Sequence, residues 1–195
     1  MRSFKMIAII DYGMGNIHSV QKALELMGAT TVVTDRLKDI RFAEKLVLPG
    51  VGAFDDAIVE LKKKKLAQAI KYQLNNKKPF LGICLGMQLL FKESQEAKGS
   101  EGLGILGGTV KKFSSGQGLK IPHMGWNELE IKNKNCPLLK GINDRSYVYF
   151  CHSYYPEPEN GAVTAASCEY GRHFACVVWQ DNIYGVQFHP EKSQA

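Results

Sequence analysis

The sequence lacks the features that mark membrane, secreted or metal-binding proteins. No apolar run approaches the roughly 20 residues that a membrane helix needs. The first apolar run stops at Asp11, so we expect neither a membrane anchor nor a signal peptide. The five cysteines are odd in number and include no C-x-x-C pair, which argues against a disulfide framework or a zinc site. Free thiols fit a reducing compartment, and we expect a cytoplasmic protein without a metal.

Aromatic side chains are missing from the most basic segment. The net charge is +6, and its densest positive run is Lys62–Lys65. Surfaces that bind nucleic acid usually combine such charge with a recognition motif or with aromatic side chains. Here the lysines lie between Leu61 and Leu66 in a helical pattern, which is typical of a solvated helix face. We therefore expect no nucleic-acid partner.

Two glycine-rich turns lack the residues that would make them nucleotide-binding loops. Asp11–Asn16 (DYGMGN) follows the first predicted strand, but His18 stands where a dinucleotide fingerprint needs its third glycine. We interpret this segment as a tight strand–helix turn. Pro49–Phe54 (PGVGAF) follows the third strand without the Gly-Lys-Ser/Thr of a P-loop. Its glycines could still let backbone N–H groups point at an anion or an oxyanion.

The first half of the chain alternates short apolar strands with helices. With 195 residues, 45% of them hydrophobic, the chain is long enough for one well-buried core. Strands are predicted at Met6–Asp11, Thr31–Thr34 and Lys45–Leu48, and helices at Asn16–Met27 and over Ala53–Leu74, the second broken near the lysine run. This alternation predicts an α/β fold with a parallel sheet and helices on both faces.

After Gly99 the pattern changes to aromatic and β-branched strands joined by short turns. They are predicted at Thr109–Phe113, Asn127–Ile131, Tyr147–Tyr155, Thr164–Glu169, Ala175–Gln180 and Ile183–Phe188. Strands of this kind add antiparallel neighbours to a parallel core. We therefore predict a central, mostly parallel mixed sheet within a single domain over residues 1–195.

The central motif is a cysteine between two glycines at the end of a strand. Cys84 closes the apolar run that begins at Phe80, lies between Gly82 and Gly86, and precedes a helical pattern. G-x-C-x-G is the spacing of a nucleophile elbow with sulfur in place of oxygen, and a helix N-terminus favours a thiolate. A small buried hydrophobe is the commonest fate of a free cysteine. This stretch alone does not decide between the two interpretations.

A histidine and a glutamate near the C-terminus favour the catalytic interpretation. Pro190 disfavours helical backbone at His189. Residues two apart in extended backbone face the same side, so Glu191 is predicted beside His189. A carboxylate there can hold one ring nitrogen while the other takes a proton from a thiol. We therefore predict a catalytic triad of Cys84, His189 and Glu191.

Together these motifs resemble the class I glutamine amidotransferases. GICLGMQ and FHPE carry the resemblance to the class. The strings DYGMGN, PGVGAF, PHMGWN, HSYY and VQFHPEKS are similar to one branch of it, the glutaminase subunits of imidazole glycerol phosphate synthases, and they span essentially the whole chain. The resemblance implies a flavodoxin-like fold, L-glutamine as the substrate and no metal or organic cofactor.

The resemblance also implies roles for individual residues. Cys84 would be the nucleophile, His189 the general base and acid, and Glu191 the group that orients the histidine. The backbone N–H groups of Gly52 and Leu85 would form the oxyanion hole.

Substrate and partner contacts follow from the same resemblance. Gln88 and the backbone of Ser153 and Tyr154 would hold glutamine. The released ammonia would pass to a (β/α)₈ cyclase subunit, in a heterodimer that makes imidazole glycerol phosphate and aminoimidazole carboxamide ribotide in histidine biosynthesis. The residues expected to face that subunit are Met124, Trp126 and Lys192.

Two alternatives share the triad. Another ammonia-donating amidotransferase, of the anthranilate or guanylate type, would lack DYGMGN and PHMGWN. A stand-alone cysteine hydrolase of γ-glutamyl bonds would need no partner, and a cyclase would not change its glutaminase rate. The family usually continues into a closing C-terminal helix, which this chain, ending at Ala195, does not show.

Overall fold

The computed structural model describes residues 6–114 and 118–193. Strands and helices alternate in its first half: β1 (Met6–Ile10), α1 (Ile17–Leu26), β2 (Thr30–Thr34), α2 (Leu37–Phe42), β3 (Lys45–Gly50), α3 (Phe54–Lys63), α4 (Leu66–Asn75), β4 (Phe80–Cys84) and α5 (Leu85–Gln88). The second half is built mainly of strands: β5 (Phe91–Ser94), β6 (Leu106–Lys112), β7 (His123–Glu128), β8 (Glu130–Ile131), β9 (Tyr147–His152), β10 (Tyr154–Pro158), β11 (Thr164–Glu169), β12 (His173–Gln180) and β13 (Ile183–Val186), with 3₁₀ turns at Pro137–Leu139, Gly161–Val163 and Pro190–Lys192.

Eight strands form the main sheet, in the order β2-β1-β3-β4-β13-β12-β11-β8. The first five in this order run parallel, and β12, β11 and β8 are added antiparallel. The parallel part has the 2-1-3-4-5 order of flavodoxin-like sheets. The predicted mixed, mostly parallel sheet is therefore confirmed, with its antiparallel strands supplied by the second half of the chain.

The sheet separates two apolar cores, because side chains alternate between its faces along each strand. In β1, Ala8 and Ile10 belong to one core, which also contains Ile58 of α3 and Ile70 of α4. Ile9 belongs to the opposite core, which contains Val20 of α1. Helices therefore cover both faces, as predicted.

The face that carries α1 also borders an apolar cavity of about 550 Å³. Leu24 and Met27 line it from the α1 side, and Leu138 and Phe188 contribute from elsewhere. Among the described residues, no helix is long and apolar enough to cross a membrane. The expectation about a closing helix concerns the C-terminal end, where residues 194 and 195 lie outside the described part of the chain.

Several elements differ from their predicted bounds. The long helical stretch is broken as expected: α3 and α4 are separated at Lys64 and Lys65, and Lys65 has a left-handed backbone (φ 59°). The helix after Cys84 is one turn long, because the chain enters β5 at Phe91. The strand predicted at Tyr147–Tyr155 is two strands, since β9 pairs with β7 while β10 pairs with β6.

Candidate active site

Cys84 stands at a sharp turn between β4 and α5. Its backbone angles are φ 54° and ψ −111°, which a non-glycine residue adopts only when its surroundings impose them. A Cβ at Gly86 would lie 1.8 Å from the Leu48 carbonyl oxygen, and one at Gly82 would lie 2.5 Å from the Gly86 carbonyl oxygen. Both glycines of G-x-C-x-G are therefore required by close backbone packing around the elbow.

The glycine turn after β3 lies beside this elbow. β3 and β4 are parallel neighbours in a register that pairs Gly50 with Cys84. Gly52 follows with φ 95°, and it lines the same cavity as Cys84 and Leu85. Both residues predicted for the oxyanion hole thus border the cavity that contains the cysteine.

His189 and Glu191 form a buried pair next to Cys84. His189 Nδ1 lies 2.9 Å from Glu191 Oε1, and the two side chains are 5% and 2% exposed. His189 has extended backbone (φ −101°, ψ 95°), as its neighbour Pro190 predicts. Glu191 lies in the 3₁₀ turn Pro190–Lys192. The predicted pairing is present, but a turn produces it rather than an extended segment.

The hydrogen-bond partners of His189 favour its charged form. Burial of the ring opposes a positive charge, but hydrogen bonds with Cys84 and Glu191 outweigh burial and raise the pKa of His189 to about 9. The second carboxylate oxygen, Glu191 Oε2, is buried and has no hydrogen-bond partner among the residues that the structure describes. The three residues form a connected row of thiol, imidazole and carboxylate, which is the arrangement that activates a sulfur nucleophile.

The elbow opens into a cavity of about 340 Å³, within the usual range for small-molecule sites. Its lining includes most of the residues predicted for the site, together with several that were not: Val51, Gly52, Cys84, Leu85, Gln88, Glu96, Pro122, Cys151, His152, Ser153, Tyr154, His189 and Lys192.

The residues predicted to bind substrate border this cavity. Gln88, one helical turn after Cys84, donates from Nε2 to the Tyr154 carbonyl (2.9 Å) and to Gln187 Oε1 (3.1 Å). Ser153 and Tyr154 lie where the chain passes from β9 to β10. This switch between sheets places both residues on the wall of the cavity that contains Cys84.

Two further residues face the site without having been assigned from the sequence. Glu96 lines the cavity and accepts a hydrogen bond from the backbone N–H of Phe54 (3.0 Å), and burial raises the pKa of its carboxyl group. Gln187 is fully buried, and its Nε2 donates to the Cys84 sulfur at 3.7 Å. No motif marks Glu96. Gln187, however, stands two residues before His189, a spacing that places side chains on a common side of extended backbone.

A pair of buried histidines adjoins the cavity. His123 Nδ1 and His152 Nε2 are 2.9 Å apart, and both rings pack against Phe150. Burial lowers the pKa of His123 to about 4 and that of His152 to about 3, so both rings are neutral at pH 7. Within residues 6–114 and 118–193, no group of three or more His, Cys, Asp or Glu side chains is arranged to hold a metal ion.

This pair should make the fold sensitive to acid. The unfolded chain binds protons on both histidines below about pH 6.5, whereas the folded chain does not until about pH 4. The free energy of unfolding should therefore fall as the pH drops through this window, by at most about 3 kcal/mol per pH unit. Urea unfolding at pH 7.5, 6.0 and about 5 measures the loss.

A comparison of variants separates the pair from other titrating groups. The double variant His123→Phe, His152→Phe should show a flatter dependence on pH than the parent. The exposed His18 provides the control, because His18→Gln should leave the slope unchanged. His189 contributes with the opposite sign, since stability from a pKa raised to about 9 is lost as the pH rises from 6.5 toward 9. Equal acid slopes for the parent and the double variant would contradict the expectation.

The residues predicted to face a partner lie on or beside the two-stranded sheet formed by β7 and β9. Met124 and Trp126 are 61% and 48% exposed. The Trp126 ring packs edge-on against Tyr149, with centroids 6.0 Å apart. Lys192 Nζ lies 5.7 Å from the centroid of the Tyr149 ring. Trp126 and Lys192 thus meet around Tyr149, a residue that was not assigned from the sequence.

Comparison with known proteins places the chain in a family. Residues 8–195 match the family model described as glutamine amidotransferase class-I. The solved structure of PurLQS from Thermotoga maritima superimposes with a TM-score of 0.77 at 20% identity, covering 97% of this chain and 89% of that one, which shows a common fold. The chain belongs to the class I glutamine amidotransferases.

Curated relatives narrow the assignment within this class. The chain is 52% identical over 188 residues to the imidazole glycerol phosphate synthase subunit HisH of Caldanaerobacter subterraneus subsp. tengcongensis, covering 96% of this chain and 91% of the relative. It is 48% identical over 194 residues to the protein of the same name from Syntrophotalea carbinolica, covering 97% and 94%. Within the class, the chain belongs to the HisH family of imidazole glycerol phosphate synthase subunits.

Proposed function

We propose that this chain hydrolyses L-glutamine to glutamate and ammonia at Cys84 and passes the ammonia to a (β/α)₈ cyclase subunit. The observation that supports this most is the strained elbow at Cys84, whose sulfur is hydrogen-bonded to His189 of the buried His189–Glu191 pair. The relatives are subunits of imidazole glycerol phosphate synthase. On this basis the cyclase forms imidazole glycerol phosphate and aminoimidazole carboxamide ribotide in histidine biosynthesis.

In the proposed reaction His189 takes the proton of the Cys84 thiol, a transfer that the raised pKa of His189 favours. The thiolate attacks the side-chain carboxamide carbon, and the tetrahedral intermediate collapses as His189 gives its proton to the departing nitrogen. Ammonia leaves and a thioester remains. Water then attacks the thioester carbon while His189 accepts one of its protons. The C–S bond breaks as His189 returns that proton to the sulfur, and the new carboxyl group of glutamate loses its remaining proton to solvent. Glu191 holds Nδ1 of the ring, so Nε2 stays directed at the sulfur.

An oxyanion forms twice in this sequence and needs hydrogen-bond donors. The backbone N–H of Leu85 directly follows the nucleophile. The turn that contains Gly52 follows β3, the parallel neighbour of β4, and lines the same cavity. Loss of one such donor typically raises the barrier by ~3–4 kcal/mol. The conformation of the Pro49–Gly52 turn should therefore affect the glutaminase rate nearly as much as loss of Glu191 does.

The other end of the substrate carries an ammonium and a carboxylate. Glu96 is a carboxylate on the cavity wall, and it can pair with the substrate ammonium group. The backbone of Ser153 and Tyr154 offers hydrogen-bonding groups opposite, and Gln88 braces the Tyr154 carbonyl. These contacts would fix the amino-acid end so that the carboxamide reaches Cys84.

The cyclase is proposed to dock on the two-stranded sheet of β7 and β9. Exposed Met124 and Trp126 have the composition of an interface core. Lys192 follows Glu191 directly in sequence and stacks over Tyr149, beside Trp126. A partner that contacts this cluster is therefore one peptide unit from the triad. We propose that docking, with ligand on the cyclase, adjusts the Pro49–Gly52 turn and raises glutamine hydrolysis.

Glutamine hydrolysis by the free chain should accordingly be weak and should rise when the loaded cyclase binds. Single-turnover hydrolysis would be compared for the chain alone, its complex with the cyclase, and the complex with the ribulose-phosphate substrate of the cyclase. Trp126→Ala should reduce the rise in glutamine hydrolysis on cyclase binding at least tenfold, because truncating a hot-spot residue costs about 2 kcal/mol or more of binding free energy.

The matched control is an aromatic residue exposed elsewhere. Tyr72 on α4 is 64% exposed, and Tyr72→Ala should respond to the cyclase as the parent does. Equal rates in all three states would remove the regulatory proposal and leave the triad untouched. A fully active free chain that ignores the cyclase would instead support a stand-alone hydrolase.

A further inference from the structure

A continuous row of hydrogen bonds leads from strand β7, which faces the proposed partner, to the sulfur of Cys84. At its inner end Gln187 Nε2 donates to the sulfur at 3.7 Å, and Gln187 Oε1 accepts from Gln88 Nε2 at 3.1 Å. The same Gln88 nitrogen donates to the Tyr154 carbonyl at 2.9 Å. Nothing in the triad chemistry requires Gln187, yet its side chain is fully buried against the nucleophile.

The direction of these hydrogen bonds is fixed by the Tyr154 carbonyl. A carbonyl oxygen can only accept, so the side-chain atom of Gln88 that faces it must be the nitrogen. That nitrogen has a second proton, which requires an acceptor, so the oxygen of Gln187 faces Gln88. The Gln187 nitrogen is therefore left facing the Cys84 sulfur. Its amide cannot turn over without breaking two hydrogen bonds.

The histidine pair extends the row beyond the Tyr154 carbonyl, which also accepts from His152. His152 Nδ1 lies 2.8 Å from the Tyr154 carbonyl oxygen and must donate to it. In the neutral ring Nε2 is then an acceptor, so His123 Nδ1 donates to it at 2.9 Å. His123 Nε2 in turn accepts from Asn127 Nδ2 at 3.3 Å. One arrangement of protons satisfies every member.

The outer end of the row is anchored independently. Asn127 Nδ2 also donates to the Glu169 carbonyl at 2.8 Å, and Asn127 Oδ1 accepts from the Glu128 N–H at 2.8 Å. The orientation of Asn127 thus agrees with the orientation deduced from the Tyr154 carbonyl. His123 and Asn127 belong to β7, the strand that presents Met124 and Trp126.

We propose that Gln187 is a positioning residue for the nucleophile. Its amide donates to the Cys84 sulfur, orients it and stabilises its thiolate, while Gln88, Tyr154 and the histidine pair hold that amide in the donating orientation. The proposal rests on the proposed function of Cys84. It assigns the neutral His123–His152 pair a purpose that packing alone does not explain, because an apolar pair would fill the same space.

The pH dependence of Cys84 alkylation by iodoacetamide tests this directly, without glutamine turnover. Peptide mass spectrometry follows Cys84 separately from the other four cysteines. A donor to a thiolate is a charge-assisted hydrogen bond. Its loss in Gln187→Met should raise the pH of half-maximal alkylation by about one unit, a roughly tenfold loss of reactivity at low pH. Gln187→Glu should raise it further, because a carboxylate replaces the donor beside the sulfur.

The graded order is the result that a purely structural role would not give. His189 and Tyr12 also interact with the Cys84 sulfur, and both variants retain them. Gln73, a buried glutamine on α4, supplies the matched control: Gln73→Met should leave the alkylation midpoint unchanged. An unchanged midpoint in folded Gln187→Met would overturn the proposal. If Gln187→Met does not fold, the isosteric Gln187→Glu decides, and a midpoint equal to that of the parent has the same consequence.

The remote part of the row has its own pair of variants. In His123→Asn the side-chain amide can replace the Nδ1 donor, whereas His123→Leu cannot donate. We expect His123→Leu to shift the Cys84 midpoint upward and His123→Asn to retain most of the parent value. Equal midpoints for both would restrict the positioning role to Gln187 and refute the part assigned to the histidines. A separate outcome concerns the nucleophile itself. If Cys84 of the folded parent is alkylated no faster than Cys84 of the unfolded chain, the assignment of Cys84 as the nucleophile is wrong.

Discussion

Cys84→Ala is expected to lower glutamine hydrolysis by about 10⁵–10⁶-fold, to the background of a mock purification. The residue supplies the only atom that bonds covalently to substrate in the proposed mechanism, so His189 and the oxyanion donors have nothing to activate. Synthesis by the complex from added ammonia should continue at the parental rate, because Cys84 acts before ammonia reaches the cyclase. Measuring both reactions on one preparation separates loss of the nucleophile from loss of the fold.

The strained elbow provides an internal control for this variant. Cys84 has φ 54° and ψ −111°, so Cys84→Gly should relieve a strain of about 1 kcal/mol or more that Cys84→Ala retains. Both variants should be inactive with glutamine, but the glycine variant should unfold at higher urea concentration. Glutamine hydrolysis by Cys84→Ala above the mock background would show that another group is the nucleophile.

The sheet could be predicted from the sequence because its strands are short, apolar and separated by helices with one apolar face. The Thr164–Glu169 strand coincides with its prediction, since its β-branched and small residues are flanked by clear turns. Two short elements were not predicted. α2 has six residues and β5 has four, which is too few for a periodic pattern to stand out from composition. Their formation depends on packing against neighbours.

The strand predicted at Tyr147–Tyr155 shows what local pattern cannot supply. Aromatic residues occur on both sides of Ser153, but at this residue the chain passes from pairing with β7 to pairing with β6. Only the positions of those two partner strands determine this. The change matters for the site, because it brings Ser153 and Tyr154 to the edge of the cavity.

The elbow and the His189–Glu191 pair could be predicted because their members are close in sequence and chemically distinctive. Glu96 and Tyr149 lie outside both the G-x-C-x-G elbow and the His-Pro-Glu motif, and their sequence neighbours form no pattern that indicates a site. Gln187 lies within a motif and, like Glu191, is two residues from His189, but an amide does not indicate acid–base chemistry as a carboxylate does. The helix that follows Cys84 favours a thiolate less than its sequence pattern predicts, because α5 is a single turn.

Glu191→Gln is expected to lower kcat by about 10²–10⁴-fold with a small change in KM, a smaller loss than in Cys84→Ala. The glutamine side chain has two orientations beside His189. With its oxygen toward Nδ1 (2.9 Å in the parent), its NH₂ occupies the place of Oε2, which is buried and has no partner within residues 6–114 and 118–193. With its nitrogen toward Nδ1, it forces the proton onto Nε2, which then cannot accept the thiol proton. Either way the imidazolium loses its counter-charge.

The pH dependence should change together with the rate. Because the hydrogen bond with Glu191 helps to raise the pKa of His189 to about 9, the variant should lose a protonated His189 at lower pH, and the alkaline limb of kcat/KM should move down. Glu130 offers the matched control. Its carboxylate also lies near a histidine, 3.5 Å from His173 Nδ1, but at the surface, so Glu130→Gln should keep the parental profile. Parental kcat in Glu191→Gln would exclude Glu191 as the third member of the triad, since a neutral amide cannot stabilise the imidazolium that forms when Cys84 gives up its proton.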